Sequence, residues 1–141
     1  MSNRTFAIIK PDAVKNNFTG KIYNRIESEG FNIIGAKLIK MSKKTAEKFY
    51  EIHKDKPFYD ELTDFMSSGN SMVLALKKNN AVKEWRDLIG ATNPQLAEKN
   101  TIRALYANSV SENAVHGSDS DENAKLEISF FFSESEIINN N

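Results

Sequence analysis

The sequence predicts an α+β fold with its elements in the order strand, helix, strand, helices, strand, helix, strand. Short runs rich in β-branched and aromatic residues alternate with segments whose apolar residues recur about every 3.6 positions. Gly, Pro or Asn stands at most of the boundaries between them. A length of 141 residues and a hydrophobic fraction of 40% suit a buried core, so we expect a single domain over residues 1–141.

The first half of the chain contains two predicted strands and three predicted helices. The apolar run 5–9, ended by Lys-Pro, predicts a buried strand, and the β-formers at 31–41 predict a second. Between them, residues 19–29 carry apolar side chains on one face before a closing glycine, which predicts a helix. Helices are also expected over 42–53 and, after a proline, over 58–66.

The second half contains two predicted strands separated by helices and a long loop. Residues 71–76 predict the third strand, and 79–89 predict a helix that a glycine ends. Residues 90–100 form a loop of a length that is usually functional, and 101–105 predict a short helix. The last strand is predicted over 126–132.

These elements give a βαββαβ plan with an added helical hairpin. The plan predicts the ferredoxin-like arrangement, a four-stranded antiparallel sheet with helices packed on one face. The polar residues 133–141 are expected to form a poorly ordered tail.

The composition argues against several classes of protein and site. Lys+Arg and Asp+Glu are both 19, so the formal net charge is zero, which argues against a dedicated nucleic-acid binder. The chain has no cysteine, which excludes disulfides and thiolate metal sites and fits a reducing compartment. No segment approaches the ~20 apolar residues that span a membrane, and the first residues lack a signal-peptide pattern. We therefore expect a cytoplasmic protein.

The stretch Asn113-Ala-Val-His116-Gly117-Ser118-Asp119-Ser120 is the strongest candidate for chemistry. Glycine permits positive φ or a close approach, and Ser and Asp orient imidazoles. An imidazole that is exposed on one side and hydrogen-bonded on the other suits a nucleophile or a proton carrier. Glu127, eleven residues beyond His116, is placed to orient the ring. The alternatives are a surface turn that contains a histidine, and a strand-edge charge at Glu127.

Basic residues flank the long loop and indicate a phosphate site. Lys10 follows the first predicted strand, where Pro fixes the exit of the chain. Arg86 and Arg103 lie on either side of the loop that holds Thr92, and guanidinium groups match phosphate oxygens with paired donors. The alternative for each is an ordinary solvated side chain.

Three further side chains, two of them with alternative roles, lie on the predicted helices of the hairpin. Phe58 is a candidate platform for stacking a base, and Tyr50 is a candidate hydrogen-bond donor, but core packing is the alternative for both. His53 is most simply a partly buried helix residue, and two histidines without cysteine argue against a protein-built zinc site.

Together these motifs resemble those of the nucleoside diphosphate kinase family over almost the whole chain. The family pattern is carried by Thr5-Phe-Ala-Ile-Ile-Lys-Pro-Asp12, Tyr50-Glu-Ile-His53, Pro57-Phe58, Trp85-Arg86, Leu88-Ile-Gly-Ala-Thr-Asn-Pro94, Thr101-Ile-Arg103, Asn113-Ala-Val-His-Gly-Ser-Asp-Ser120 and Glu127-Ile128.

The resemblance implies a role for each candidate residue. His116 becomes phosphorylated, Glu127 supports its ring with Ser118 nearby, and Lys10 and Tyr50 lie near the transferred group. The implied nucleotide-binding residues are Lys10 and Asn113 at the sugar, Phe58, Leu62 and Val110 at the base, and Arg86, Thr92 and Arg103 at the remaining phosphates.

The activity implied by the resemblance is transfer of the γ-phosphate of a nucleoside triphosphate to a diphosphate through a phosphohistidine, with broad base and sugar tolerance. It also implies Mg²⁺ carried mainly by the nucleotide phosphates rather than by a protein metal site, and a homo-oligomer, tetramer or hexamer. A non-catalytic nucleotide-binding interaction module on the same fold is the alternative. The chain departs from the family at Asn70, commonly Pro, and Asn100, commonly Gly, and asparagine tolerates positive φ there.

Overall fold

Four strands form one antiparallel sheet within residues 3–138, the part of the chain that this computed structural model describes. They are β1 (Arg4–Ile9), β2 (Asn32–Lys40), β3 (Asn70–Lys77) and β4 (Val115–Gly117). The spatial order is β2-β3-β1-β4, and every neighbouring pair is antiparallel. The predicted ferredoxin-like α+β fold is therefore confirmed.

Seven helices connect and cover the strands within the described residues. They are α1 (Pro11–Lys15), α2 (Thr19–Ser28), α3 (Lys43–Phe49), α4 (Tyr59–Met66), α5 (Ala81–Ile89), α6 (Ile102–Tyr106) and α7 (Asp121–Phe131). The predicted helical hairpin is α3 and α4. Side chains of Ser42, Thr101 and Ser120 accept bonds from backbone N–H groups at the starts of α3, α6 and α7. None of these helices is long and apolar enough to cross a membrane.

The sheet separates two apolar cores, because side chains alternate along each strand. Ala7 and Ile9 of β1 pack with residues of α2 and α5 on one face of the sheet. Phe6 and Ile8 pack with residues of α3, α4 and α7 on the opposite face. The prediction that helices pack on one face alone is therefore wrong.

The prediction of a last strand over 126–132 is also wrong, since these residues continue α7 as far as Phe131. Ser120 caps the helix, and the buried residues Ala124, Ile128 and Phe132 recur at a helical spacing of four. The fourth strand is β4, which is only three residues long and lies before the helix.

Residues 133–138 pack against the sheet edge. Glu134–Glu136 form a 3₁₀ turn, and the backbone N–H of Ile138 donates to the carbonyl of Ile34 over 2.8 Å. The prediction of a poorly ordered tail is wrong for residues 133–138, and residues 139–141 lie outside the described residues.

The two departures from the family pattern lie in a turn and at the start of a strand. Asn100 has a φ of 74°, in the region that asparagine tolerates best among residues other than glycine. Asn70 is the first residue of β3, where it lies opposite Lys40 of β2.

Candidate active site

His116 lies in β4, in register with Ile8 of β1. Its Nε2 atom is 2.9 Å from Oε1 of Glu127 on α7. The hydroxyl of Ser118 donates to the same carboxylate oxygen over 2.8 Å. Because an ionised carboxylate only accepts hydrogen bonds, this contact places the ring proton on Nε2 and leaves the lone pair of Nδ1 available.

The surroundings of His116 favour the neutral imidazole. Burial lowers its pKa below 6.5, and the charges of Lys10 and Arg103 lower it further, against the opposing effect of Glu127. The rings of Phe6 and Phe49 lie 6.0 and 5.5 Å from the imidazole, centre to centre, and contribute to this burial. A neutral imidazole with a free lone pair is a nucleophile.

Gly117 permits the close approach of helix α5. The indole Nε1 of Trp85 donates to the carbonyl of His116 over 3.1 Å. A Cβ atom on Gly117 would lie 2.8 Å from Cδ1 of Trp85, which is closer than real Cβ contacts. Gly117 is also not among the glycines with positive φ. Position 117 is therefore a glycine because the side chain of Trp85 packs against it. The two predicted reasons for a glycine here, a positive φ and the close approach of a ligand, do not account for this residue.

The turn before β4 has an unusual backbone conformation. Ala114 has a φ of 70°, and the N–H of Val115 donates to the carbonyl of Asn113 over 2.8 Å, so the three residues form a γ-turn. The backbone N–H of Lys10 donates to the carbonyl of Ala114 over 2.8 Å. A carboxylate oxygen of Asp12 accepts from the N–H of Ala114 over 3.0 Å.

The ammonium group of Lys10 is buried beside this turn. Its side chain is 8% exposed and donates to Oδ1 of Asn113 over 2.8 Å. Burial and the charge of Arg103 lower the pKa of Lys10 to about 8, although Asp12 opposes the shift. The lysine therefore still carries a positive charge at neutral pH.

Arg103 is a part of the scaffold as well as a source of charge. Its guanidinium donates to the carbonyls of Asn113, Gly90 and Val115 over 3.3, 2.9 and 2.9 Å. Two of its five N–H groups remain for a ligand. Burial and the charge of Arg86 lower the pKa of Arg103 to about 10, so it also remains charged at neutral pH. The sequence predicted a phosphate ligand here and did not predict the contacts to the backbone.

Tyr50 holds a buried hydroxyl. The residue is 7% exposed, and its OH has no hydrogen-bond partner within residues 3–138. Its ring meets that of His116 edge to face, with centres 6.4 Å apart. Burial and the charge of Glu127 raise the pKa of Tyr50 well above 10, so the hydroxyl keeps its proton and is available as a donor.

A cleft of about 610 Å³ runs from Lys10 to Phe58. Of the predicted residues, the structure brings to its walls Lys10, Tyr50, Phe58, Leu62, Thr92, Val110 and Asn113. Phe58 is 48% exposed, so one side of its ring faces the open cleft rather than the core. The predicted residues that are not among those lining the cleft are His116, Ser118, Arg103, Glu127 and Arg86. Arg86 is exposed on α5, close enough to Arg103 for its charge to lower the pKa of that group.

Sequence reasoning missed several residues of the cleft. The walls also contain His53, Glu61, Phe65, Ser111 and Glu112. His53 is partly buried, as predicted, but it lies in a 3₁₀ turn rather than in an α-helix, with its ring 5.6 Å from that of Phe58. Positions 58, 61, 62 and 65 share one side of α4 and its cap, so the helical spacing could have identified two of these residues.

Comparisons with known sequences assign this chain to a protein family. The sequence model of the nucleoside diphosphate kinase family matches residues 3–137. A nucleoside diphosphate kinase of Wolbachia sp. subsp. Drosophila simulans (strain wRi) is 56% identical over 135 residues, which are 96% of this chain and 97% of that protein. One from Phenylobacterium zucineum (strain HLK1) is 55% identical over 138 residues, or 98% of this chain and 99% of that protein.

Solved structures agree with the sequence relatives. The Aquifex aeolicus nucleoside diphosphate kinase, in an orthorhombic crystal form, has a TM-score of 0.94 at 41% identity and covers 96% of this chain and 99% of its own. The Halobacterium salinarum enzyme in complex with CDP has a TM-score of 0.94 at 34% identity, with coverages of 100% and 94%. The chain belongs to the nucleoside diphosphate kinase family and is a phosphotransferase that acts on nucleotides.

Proposed function

We propose that this enzyme transfers the γ-phosphate of a nucleoside triphosphate to a nucleoside diphosphate in two half-reactions through a phosphohistidine at His116. The observation that carries the proposal is the contact of 2.9 Å between Nε2 of His116 and Glu127, which leaves Nδ1 with a free lone pair. Nδ1 attacks the γ-phosphorus in line, the bond from that phosphorus to the bridging oxygen breaks, and the diphosphate leaves with the electron pair. A second diphosphate then attacks the phosphohistidine and releases Nδ1.

The proposed roles of the other polar residues follow from charge. The transition state spreads negative charge over the phosphoryl oxygens, so catalysis rests on position and fixed donors. Lys10, the two free N–H groups of Arg103, and the unpartnered hydroxyl of Tyr50 supply such donors from buried sites. Arg86 and Thr92, both exposed, bind the remaining phosphates. Glu127 orients the imidazole with the help of Ser118.

The apolar part of the cleft is the proposed base site. Phe58 stacks on the base, Leu62 and Val110 line the slot, and Lys10 with Asn113 holds the sugar hydroxyls. Every base has a π-face, so stacking tolerates purines and pyrimidines alike. The Halobacterium relative in complex with CDP, a pyrimidine nucleotide, supports a broad substrate range.

We propose Mg²⁺ as the cation, carried by the phosphate oxygens of the nucleotide. The described residues contain no group of three or more side chains that could hold a metal ion. The two carboxylates near the turn and His116 are already engaged, Asp12 with Ala114 and Glu127 with His116 and Ser118. The residues present therefore fit a cation that arrives with its substrate and neutralises phosphate charge.

Incubation with γ-labelled ATP tests the proposal directly. The wild-type protein should acquire a label that is labile to acid and stable to base, as a phosphohistidine is, and should lose it to added diphosphate. His116→Ala should remain folded and unlabelled, whereas His53→Ala, which removes the other imidazole, should still be labelled. Nucleotide exchange by folded His116→Ala would overturn the mechanism. The family membership does not favour the non-catalytic alternative.

The proposal extends to organisation and location. We expect a single domain, a cytoplasmic location and a homo-oligomer, either a tetramer or a hexamer. The absence of cysteine supports a reducing compartment. Light scattering should give a mass of four or six chains of 15.9 kDa each, and a monomer would contradict the expectation.

A further inference from the structure

The γ-turn before His116 is built on a residue that does not favour it. The structure gives four non-glycine residues a positive φ among the described positions, and three of them are asparagines. The fourth is Ala114, which has no polar side chain to stabilise a left-handed backbone. Such conformations persist only where the surroundings hold them in place.

The short segment 10–12 and Arg103 hold this turn together, since Arg103 donates to the carbonyls of Asn113 and Val115. The backbone N–H of Lys10 binds the carbonyl of Ala114, and the ammonium of Lys10 binds the side chain of Asn113, each over 2.8 Å. The carboxylate of Asp12 accepts a hydrogen bond from the backbone N–H of Ala114 over 3.0 Å. Ala114 is fully buried and Asp12 is 6% exposed, so water cannot replace the bond.

We propose that Asp12 is a positioning residue whose carboxylate keeps Ala114 in the γ-turn and thereby sets the places of Asn113 and His116. The inference rests on the proposed function for its kinetic readout. Asp12 is not among the residues that line the cleft, and its carboxylate binds the backbone of Ala114. Its effect on catalysis passes through the backbone, because His116 follows Ala114 by two residues at the start of β4.

Asp12 also acts on Lys10 through its negative charge. Its carboxylate raises the pKa of Lys10 against the stronger effect of burial. The two roles separate in Asp12→Asn. The amide oxygen can still accept from Ala114, and the amide NH₂ replaces Oδ1, which has no hydrogen-bond partner within residues 3–138. Asparagine at position 12 therefore keeps the hydrogen bond to the N–H of Ala114, which we call the brace, and removes the negative charge.

The test compares Asp12→Ala, Asp12→Asn, Ala114→Gly and the double variant Asp12→Ala/Ala114→Gly. We expect Asp12→Ala to lower kcat by up to about 100-fold, because small displacements at a reacting group have effects of this size. Its KM for nucleotides should change much less. Below neutral pH, where Lys10 stays protonated without the charge of Asp12, Asp12→Asn should retain most of the rate. Glycine adopts a φ of 70° without steric hindrance, so Ala114→Gly should restore most of the rate lost in Asp12→Ala.

Equal losses in Asp12→Ala and the double variant would overturn the proposal, and so would an Asp12→Asn variant as slow as Asp12→Ala. If Asp12→Ala does not fold, the proposal expects the double variant to fold and to be labelled by γ-labelled ATP, and an unfolded double variant would contradict it. Hydrogen exchange of the Ala114 amide gives a readout that needs no activity. The exchange should be slow in wild type and Asp12→Asn and fast in Asp12→Ala, even if wild type is never labelled and the proposed function fails.

Discussion

Glu127 and His116 meet through a contact of 2.9 Å that joins a helix to an edge strand. The carboxylate comes from α7 on one face of the sheet, and the imidazole comes from β4. In the proposed mechanism this contact makes Nδ1 the reactive nitrogen, because the proton that it holds on Nε2 cannot also occupy Nδ1.

Replacing Glu127 by glutamine should therefore impair the nucleophile. The amide can present an N–H to Nε2, which stabilises the tautomer with its proton on Nδ1. We expect phosphohistidine formation in Glu127→Gln to slow by at least about tenfold in single-turnover labelling. Ser118→Ala is the matched control, since it removes one bond to the same carboxylate oxygen and leaves its charge in place. A larger loss in Ser118→Ala than in Glu127→Gln would contradict the assignment.

The pH dependence of kcat/KM should be bell-shaped. Neutral His116 is required, so the rate should fall as pH drops through a pKa that burial holds below 6.5. Protonated Lys10 is required, so the rate should also fall as pH rises through a pKa of about 8. Lys10→Ala should have a lower kcat/KM and should lose the basic limb. A basic limb that stays unchanged in Lys10→Ala would assign it to another group.

Gly117→Ala should destabilise the fold and displace His116. The added Cβ would lie 2.8 Å from Cδ1 of Trp85, and overpacking of this kind costs about 1–3 kcal/mol. Urea unfolding measures the loss, and turnover measures the displacement. Gly20→Ala is the control, because nothing lies within 4 Å of its added Cβ and alanine favours the helix by up to about 1 kcal/mol. Equal stability of the two variants would refute this account of Gly117.

Phe58→Ala should lower kcat/KM for ADP, GDP, CDP and dTDP by similar factors. Stacking contributes roughly 1–3 kcal/mol per base and does not depend on hydrogen-bonding edges. Phe130→Ala, which removes a partly exposed ring outside the cleft, should leave all four values near those of wild type. A wild-type enzyme that rejects one base by more than about a thousandfold would require hydrogen-bond readout and would exclude the stacking model.

Much of the fold was predictable because several strands and helices have a strong hydrophobic pattern in the sequence. Residues 5–9 and 71–76 are short apolar runs, and both lie within strands of the structure. The segment 126–132 misled the prediction, since Leu, Ile and Phe alternate with polar residues there as they do in strands. The helical signal lay upstream, where Ser120 caps a first turn that contains Asp121 and Glu122.

The site was only partly predictable, because its geometry depends on contacts between distant segments. The residue types of Lys10, Glu127 and His116 indicated chemistry, and the structure brings them into one region. The role of Gly117 was not predictable, since no local pattern reveals that Trp85 packs against it. Nor was the brace on Ala114, because its partner Asp12 is 102 residues away.

The three carbonyl contacts of Arg103 have a practical consequence for redesign. Under the proposed function, Arg86 and Arg103 are the two arginines that a redesign for a substrate with a different phosphate charge would alter. Replacing Arg103 would also break its hydrogen bonds to the carbonyls of Asn113, Gly90 and Val115. Such a variant would therefore lose phosphate binding and local structure at the same time. Arg86 is exposed on α5. A library of substitutions at position 86 alone should therefore alter substrate choice without breaking the hydrogen bonds that Arg103 makes to the backbone.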